Sequence, residues 1–178
     1  SFLAWAALEL YRCTQDIQYL DHACGLMDRV IADFKSAEGG FDMTSKQAEK
    51  LLFTPSEFSD MALPSGNSVA LLVFTELVRY TGLEHYEKER QALDGLYALS
   101  LPRSIDRRTI STMAMERQQG ESFEVVVVSP DSAKDAAPML QAVPTTGSRN
   151  IYLHLKTNAN SETLARLAPF TRSYSALD

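Results

Sequence analysis

The chain has 178 residues, 45% of them hydrophobic, with 17 lysines and arginines against 23 aspartates and glutamates, a formal charge of -6. That apolar content can bury a core for one domain or somewhat more, and no apolar stretch reaches the roughly 20 residues a bilayer-spanning helix needs. The acidic balance offers no broad attraction to phosphate backbones or anionic lipid, so neither nucleic acid nor a membrane is an expected partner.

The opening run Ser1-Phe2-Leu3-Ala4-Trp5-Ala6-Ala7-Leu8 lacks the basic flank of a signal peptide, and without a starting methionine it reads as the cut end of a longer chain. Residues 2–12 are apolar on nearly every side, the pattern of a helix buried all round. Two cysteines, Cys13 and Cys24, are too few for a disulfide framework and wrongly spaced for a thioredoxin-type pair or a zinc site. Both read as ordinary buried thiols in a reducing, cytoplasmic setting.

Residues 19–35 place Leu20, Ala23, Met27, Val30, Ile31 and Phe34 at helical spacing with Asp21, His22, Asp28, Arg29 and Asp33 between them, so this helix has one wet face. Gly39 and Gly40 supply the backbone freedom that ends it. A long insert, 39–64, follows, and inserts of that length are more often functional than idle.

Pro64, Ser65, Gly66, Asn67 and Ser68 combine a rigid turn, a glycine and small polar side chains at the start of a long apolar helix, which can build a polar pocket floor. Ser65 or Asn67 caps that helix, which carries Val69, Ala70, Leu71, Leu72, Val73, Phe74, Leu77 and Val78 and stops at Thr81-Gly82. Residues 84–99 then give a second helix with a wet face. A buried helix followed by an amphipathic one, repeated after roughly 65 residues, reads as an array of inner helices sheathed by outer ones. Residues 105–119 are a third helix candidate. After Gly120 the character changes: Phe123 to Val128 is a β-branched run, 131–141 a short helix, and Asn150 to Leu155 a second strand. Strand, helix, strand at this length is a βαβ crossover with parallel strands, returning through 144–147.

Five segments, in order and across most of the chain, carry a resemblance. They are Gly39-Gly40-Phe41 with Thr44; Asp60-Met61-Ala62-Leu63-Pro64-Ser65-Gly66-Asn67-Ser68; Tyr80-Thr81-Gly82; Val125 to Val128; and Leu164-Ala165-Arg166-Leu167-Ala168-Pro169-Phe170. Together they resemble the C-terminal region of a family of thioredoxin-domain proteins with a six-hairpin, glycosidase-like toroid, the spermatogenesis-associated thioredoxin-like protein family. The resemblance implies a toroid of paired helices similar to that of sugar epimerases and unsaturated-glucuronide hydrolases, preceded by a thioredoxin-like domain. It also implies that this chain covers roughly the last three hairpins and the βαβ piece. Where relatives often place an arginine and a lysine around a proline, this chain has Thr54-Pro55-Ser56, which leaves a pocket of hydroxyls and amides rather than cations.

In such toroids the loops leading into inner helices ring one mouth. Phe41, Asp42, Ser65, Gly66, Asn67 and Ser68 are therefore the candidate ligand-binding residues, with Phe41 or Tyr80 as a stacking face for a carbohydrate-like molecule. The competing reading is structural, with Ser65 or Asn67 as a cap, Pro64 setting the turn and Asp60 holding the loop. Glycoside chemistry wants two carboxyl groups roughly 5 to 10 Å apart. Asp42 and Asp60 are the acids flanking the two motifs, and Asp60 is the candidate catalytic residue.

His22, His85 and His154 lack metal-site spacing and read as solvated or packing residues; no metal or cofactor is expected. Ser129-Pro130-Asp131-Ser132 after the first strand makes a helix start and not a glycine-rich phosphate loop. The expected fold is thus mainly α: a partial α/α toroid over 1–120 with a small βαβ appendage over 121–178. The expected function is that of a sugar hydrolase or epimerase acting in the toroid mouth. The alternative is a non-catalytic interaction module whose chemistry belongs to a thioredoxin-like domain. Inner helices such as those around Trp5 and Phe74 are expected to leave apolar sides uncovered and to drive self-association.

Overall fold

The computed structural model describes residues 1–49, 56–99, 105–129, 134–144 and 150–176. Thr54, Pro55, Pro130, Asp131, Ser132 and the 145–147 part of the returning turn lie outside the described residues. The chain is mainly helical with a small parallel sheet. Its elements are α1 (Phe2–Thr14), α2 (Ile17–Phe34), α3 (Gly66–Thr81), α4 (Glu84–Ala98), α5 (Thr109–Gln119), β1 (Phe123–Val128), α6 (Ala137–Ala142), β2 (Ile151–Lys156) and α7 (Ser161–Leu167).

α1 and α2 are joined by two residues and pack together. Gln15 takes the left-handed conformation (φ 57°) that closes α1, and Asp16 caps α2 by accepting from Gln18 N at 3.0 Å. α3 is the centre of the fold: every residue from Asn67 to Leu77 is buried. It packs against α4, α5 and α1, and within it only Gly66 at one end and Val78 and Arg79 near the other reach water. Ser65 is its N-cap, accepting from Ser68 N at 3.0 Å, and Gly82 (φ 67°) closes its other end. α4 turns Tyr86, Leu93 and Tyr97 inward and exposes Glu84 and Lys88, while Glu89, Arg90 and Asp94 are partly buried in ion pairs.

Three sequence expectations are corrected. α1 is not buried all round: Ala4, Ala7, Leu8 and Tyr11 face the core, but Phe2, Leu3 and Leu10 are 45%, 72% and 45% exposed. Its neighbours stand on one side only, and Cys13 on the same open side is exposed, not buried. Second, Gly39 and Gly40 do not cap α2. That helix ends at Phe34, Lys35 is already extended, and the two glycines (φ 101° and 71°) form a reversal. The reversal is closed by Ser36 N to Gly40 O at 2.9 Å and Asp42 N to Phe34 O at 2.8 Å. Third, Phe74 leaves nothing uncovered. It is fully buried, 5.8 Å from the Phe41 ring and 6.0 Å from Tyr86, while Trp5 is half-buried and donates to Glu9 Oε1 at 3.1 Å.

The parallel βαβ unit is as expected, with Phe123 opposite Ile151 through Val128 opposite Lys156, although α6 starts only at Ala137. Alternation on β2 divides its duties. Leu153 and Leu155 form a small core with Val127 and Ala136 under α6, whereas Tyr152 and His154 face the helices. Tyr152 and Leu167 belong to the main core, so the appendage is packed into the helical body. Lys156 Nζ donates to Thr171 O and Tyr174 O, both at 2.7 Å, which fastens the end of the chain after α7.

One charge cluster sits inside this core. Glu76 of α3 is fully buried and paired with Arg12 of α1 (3.0 Å) and Arg117 of α5. Pairing and hydrogen bonding make such a burial tolerable, and the cluster pins the three helices in register.

Candidate functional site

A cavity of about 600 Å3 opens where the Gly40 reversal, the end of α2 and the loop before α3 converge. Its walls include Val30, Phe34, Phe41, Asp42, Met43, Glu57, Met61, Leu63, Pro64, Ser65, Gly66 and Asn67. Segments 25 residues apart in sequence thus meet on one concavity.

Asn67 makes them meet. Its Oδ1 accepts from Phe41 N at 2.8 Å, while its Nδ2 donates to Phe41 O at 2.8 Å and to Glu57 O at 2.8 Å. The amide side chain therefore pairs with both main-chain polar groups of one residue as an adjacent antiparallel strand would, in a buried position where unpaired groups are costly. Gly40 has to be a glycine here: a Cβ would lie 2.6 Å from Phe58 Cζ and 3.0 Å from Asn67 Oδ1.

Of the sequence-derived site residues, Phe41, Asp42, Ser65, Gly66 and Asn67 line the cavity. Ser68 does not. It is fully buried in a hydroxyl cluster with Ser65 Oγ (2.9 Å) and Tyr97 Oη (2.9 Å), and Arg108 lies over the Tyr97 ring at 5.1 Å. Burial pushes the Tyr97 phenol above its ordinary value, so it stays a neutral hydrogen-bonding partner.

Asp60 is also outside the cavity walls. Its Oδ1 accepts from Ser65 N at 2.9 Å, its Oδ2 from Ile110 N at 2.9 Å, and its own N–H donates to Arg107 O at 2.7 Å. Both carboxylate oxygens are thus occupied by backbone donors, and the residue ties the loop before α3 to the first turn of α5. This matches the loop-holding alternative for Asp60.

Tyr80 is not a stacking face for a ligand: it is fully buried in a separate aromatic group with Tyr11 (5.4 Å), Tyr152 (5.0 Å) and His154 (5.6 Å). His154 there is packed and not solvated. It shares a 2.7 Å hydrogen bond with Tyr11 Oη, and burial pushes its pKa down to about 4.

Glu57, Phe34 and Met43 are cavity residues that spacing in the sequence did not mark. Phe34 reads as the last core position of α2, and Glu57 is one of several acids in the insert. Ser56 Oγ donates to Asp42 Oδ1 at 2.5 Å, which ties the residue before Glu57 to Asp42, and both acidic residues line the cavity. A smaller cavity of about 340 Å3, walled by Thr75, Arg79, Glu87, Arg90 and Gln118, is a polar notch whose Arg90 is already engaged by Glu87, Asp94 and Gln118.

Among the described residues no group of three or more His, Cys, Asp or Glu could hold a metal ion, and no helix is long and apolar enough to cross a membrane. Compared with known proteins, the chain matches no family model and no curated sequence.

Proposed function

We propose that this chain is the ligand-binding part of a carbohydrate-active α/α toroid, with α1, α3 and α5 as inner helices, α2 and α4 as outer ones, and the cavity at one mouth. The observation that carries it is the cavity itself, lined by Phe34, Phe41 and Pro64 together with the acidic residues Asp42 and Glu57. A sugar ring has apolar faces that stack on such walls and hydroxyls that donate to carboxylates. The same two carboxyl groups are the pair available for acid and base work on a glycosidic bond or a sugar carbon, with Asp60 acting as a positioning residue. A cytoplasmic setting is part of this reading, and the unbridged thiols of Cys13 and Cys24 support it.

The test is calorimetric titration of the chain with neutral hexosides, uronides and amino sugars, repeated with Phe34→Ala. Saturable binding that weakens on removal of the ring supports the reading. Absence of binding to every sugar overturns it.

A second reading, a non-catalytic interaction module that self-associates, is favoured by the uncovered apolar stripe of Phe2, Leu3, Ala6 and Leu10 on α1, continuous with the exposed Met61 and Leu63 at the cavity rim. Light scattering on a dilute sample tests it. A dimer or larger species that dissociates on Leu3→Glu with Leu10→Glu is the expected result, and a monomeric parent removes it.

A further inference from the structure

We infer that the cavity selects a ligand carrying an amine, so that within the sugar-binding reading, on which this inference rests, its substrates are amino sugars and not neutral hexoses or uronides.

The argument begins with which polar wall groups are already used. Asn67 spends its carbonyl oxygen on Phe41 N and its amino group on two carbonyls. Ser65 Oγ is held by Ser68 and Tyr97. What remains for a ligand is carboxylate: Asp42, with one oxygen engaged by Ser56, and Glu57, which is exposed.

Among the described residues no lysine, arginine or histidine lines the cavity. Two helix ends also meet here, the C-terminus of α2 at Phe34 and the N-terminus of α3 at Gly66, and their half-charges are of opposite sign. Among the described residues the charge lining the site is therefore that of Asp42 and Glu57.

A negative rim over aromatic walls is the chemistry that holds an ammonium group. The charge pairs with Asp42 and Glu57, and the apolar lining around Phe34 and Pro64 keeps water from screening that pairing. The same rim repels a uronate or a phosphate, in keeping with an acidic chain.

Three ligands that share a ring test this directly: glucosamine, glucose and glucuronate, titrated at mildly acidic pH where the amine is protonated, with phenethylamine as an amine that is not a sugar. Glucosamine is expected to bind about tenfold more tightly than glucose, with glucuronate weakest, and the advantage should shrink in high salt. Asp42→Asn combined with Glu57→Gln, checked for folding by circular dichroism, should abolish the difference between glucosamine and glucose.

Equal binding of glucosamine and glucose overturns the inference and leaves the sugar site standing. Carboxylate-dependent binding of phenethylamine without any sugar binding supports the amine specificity and overturns the sugar reading. Binding of none of the four overturns both.

Discussion

Asn67 holds Phe41 by both of its main-chain polar groups: the side-chain oxygen accepts from the Phe41 N–H and the side-chain nitrogen donates to the Phe41 carbonyl, each at 2.8 Å. A residue inside the first turn of a buried helix thereby sets the position of a loop that precedes it by 26 positions. Truncating it leaves a buried N–H and carbonyl without partners, so Asn67→Ala should cost about 2–4 kcal/mol. Urea denaturation measures this, and an unchanged midpoint would show that the bracket contributes nothing.

Two glycines make opposite predictions. Gly40→Ala forces a side chain into left-handed backbone and against Phe58, and should destabilise by about 2 kcal/mol or more. Gly25 lies within α2 on its exposed side, and a Cβ there meets nothing within 4 Å, so Gly25→Ala should stabilise by about 0.5–1 kcal/mol. Thermal melts of the two variants should move in opposite directions from the parent.

Asp60→Ala removes the acceptor for Ser65 N and Ile110 N together, with an expected loss of about 2–3 kcal/mol. Asn at the same position keeps one carbonyl acceptor and should lose less. Hydrogen exchange localises the effect: the Ile110 amide should exchange faster in Asp60→Ala, and unaltered protection there would contradict the tie between loop and α5.

His154 makes stability depend on pH. Burial lowers its folded-state pKa to about 4 from the usual 6.5, so between those values the unfolded chain binds a proton that the folded chain does not. Its contribution is fully present above pH 6.5 and is lost as pH falls towards 4, amounting to about 3 kcal/mol in total. His154→Gln can keep a hydrogen bond to Tyr11 and should flatten the His154 part of this slope. A parent-like slope in the variant, followed by urea midpoints across that range, would rule this out.

Glu76→Ala leaves Arg12 and Arg117 buried together without their shared carboxylate, and should cost about 3–5 kcal/mol. Added salt should recover little of it, because a buried pair is screened far less than a surface pair. Denaturation at low and high ionic strength checks both statements.

The helical pattern shows how much the linear order already contained. Apolar residues on every side of residues 69–78 can be satisfied only in the middle of a bundle, and α3 is there. One wet face on α2 and α4 could be read from spacing, because burial and the 3.6-residue period are local facts. The parallel βαβ unit followed in the same way from β-branched runs separated by a short crossover.

The role of each polar residue was not local. Asp60 looked like an acid poised in a loop, and its partners, Ser65 N and Ile110 N, lie 5 and 50 residues away. His154 looked like a strand histidine, and its partner Tyr11 is 143 residues distant. α1 reads as buried throughout because composition counts apolar residues, whereas exposure depends on which sides have neighbours. Residue types and their periods therefore specified the helices and the strands, whereas the reversal at Gly39 and Gly40 was read as a helix end. Whether an acidic residue lines a cavity, as Asp42 and Glu57 do, or holds a pair of backbone N–H groups, as Asp60 does, was decided only by folding, because hydrogen bonding and desolvation are properties of what is brought close in space.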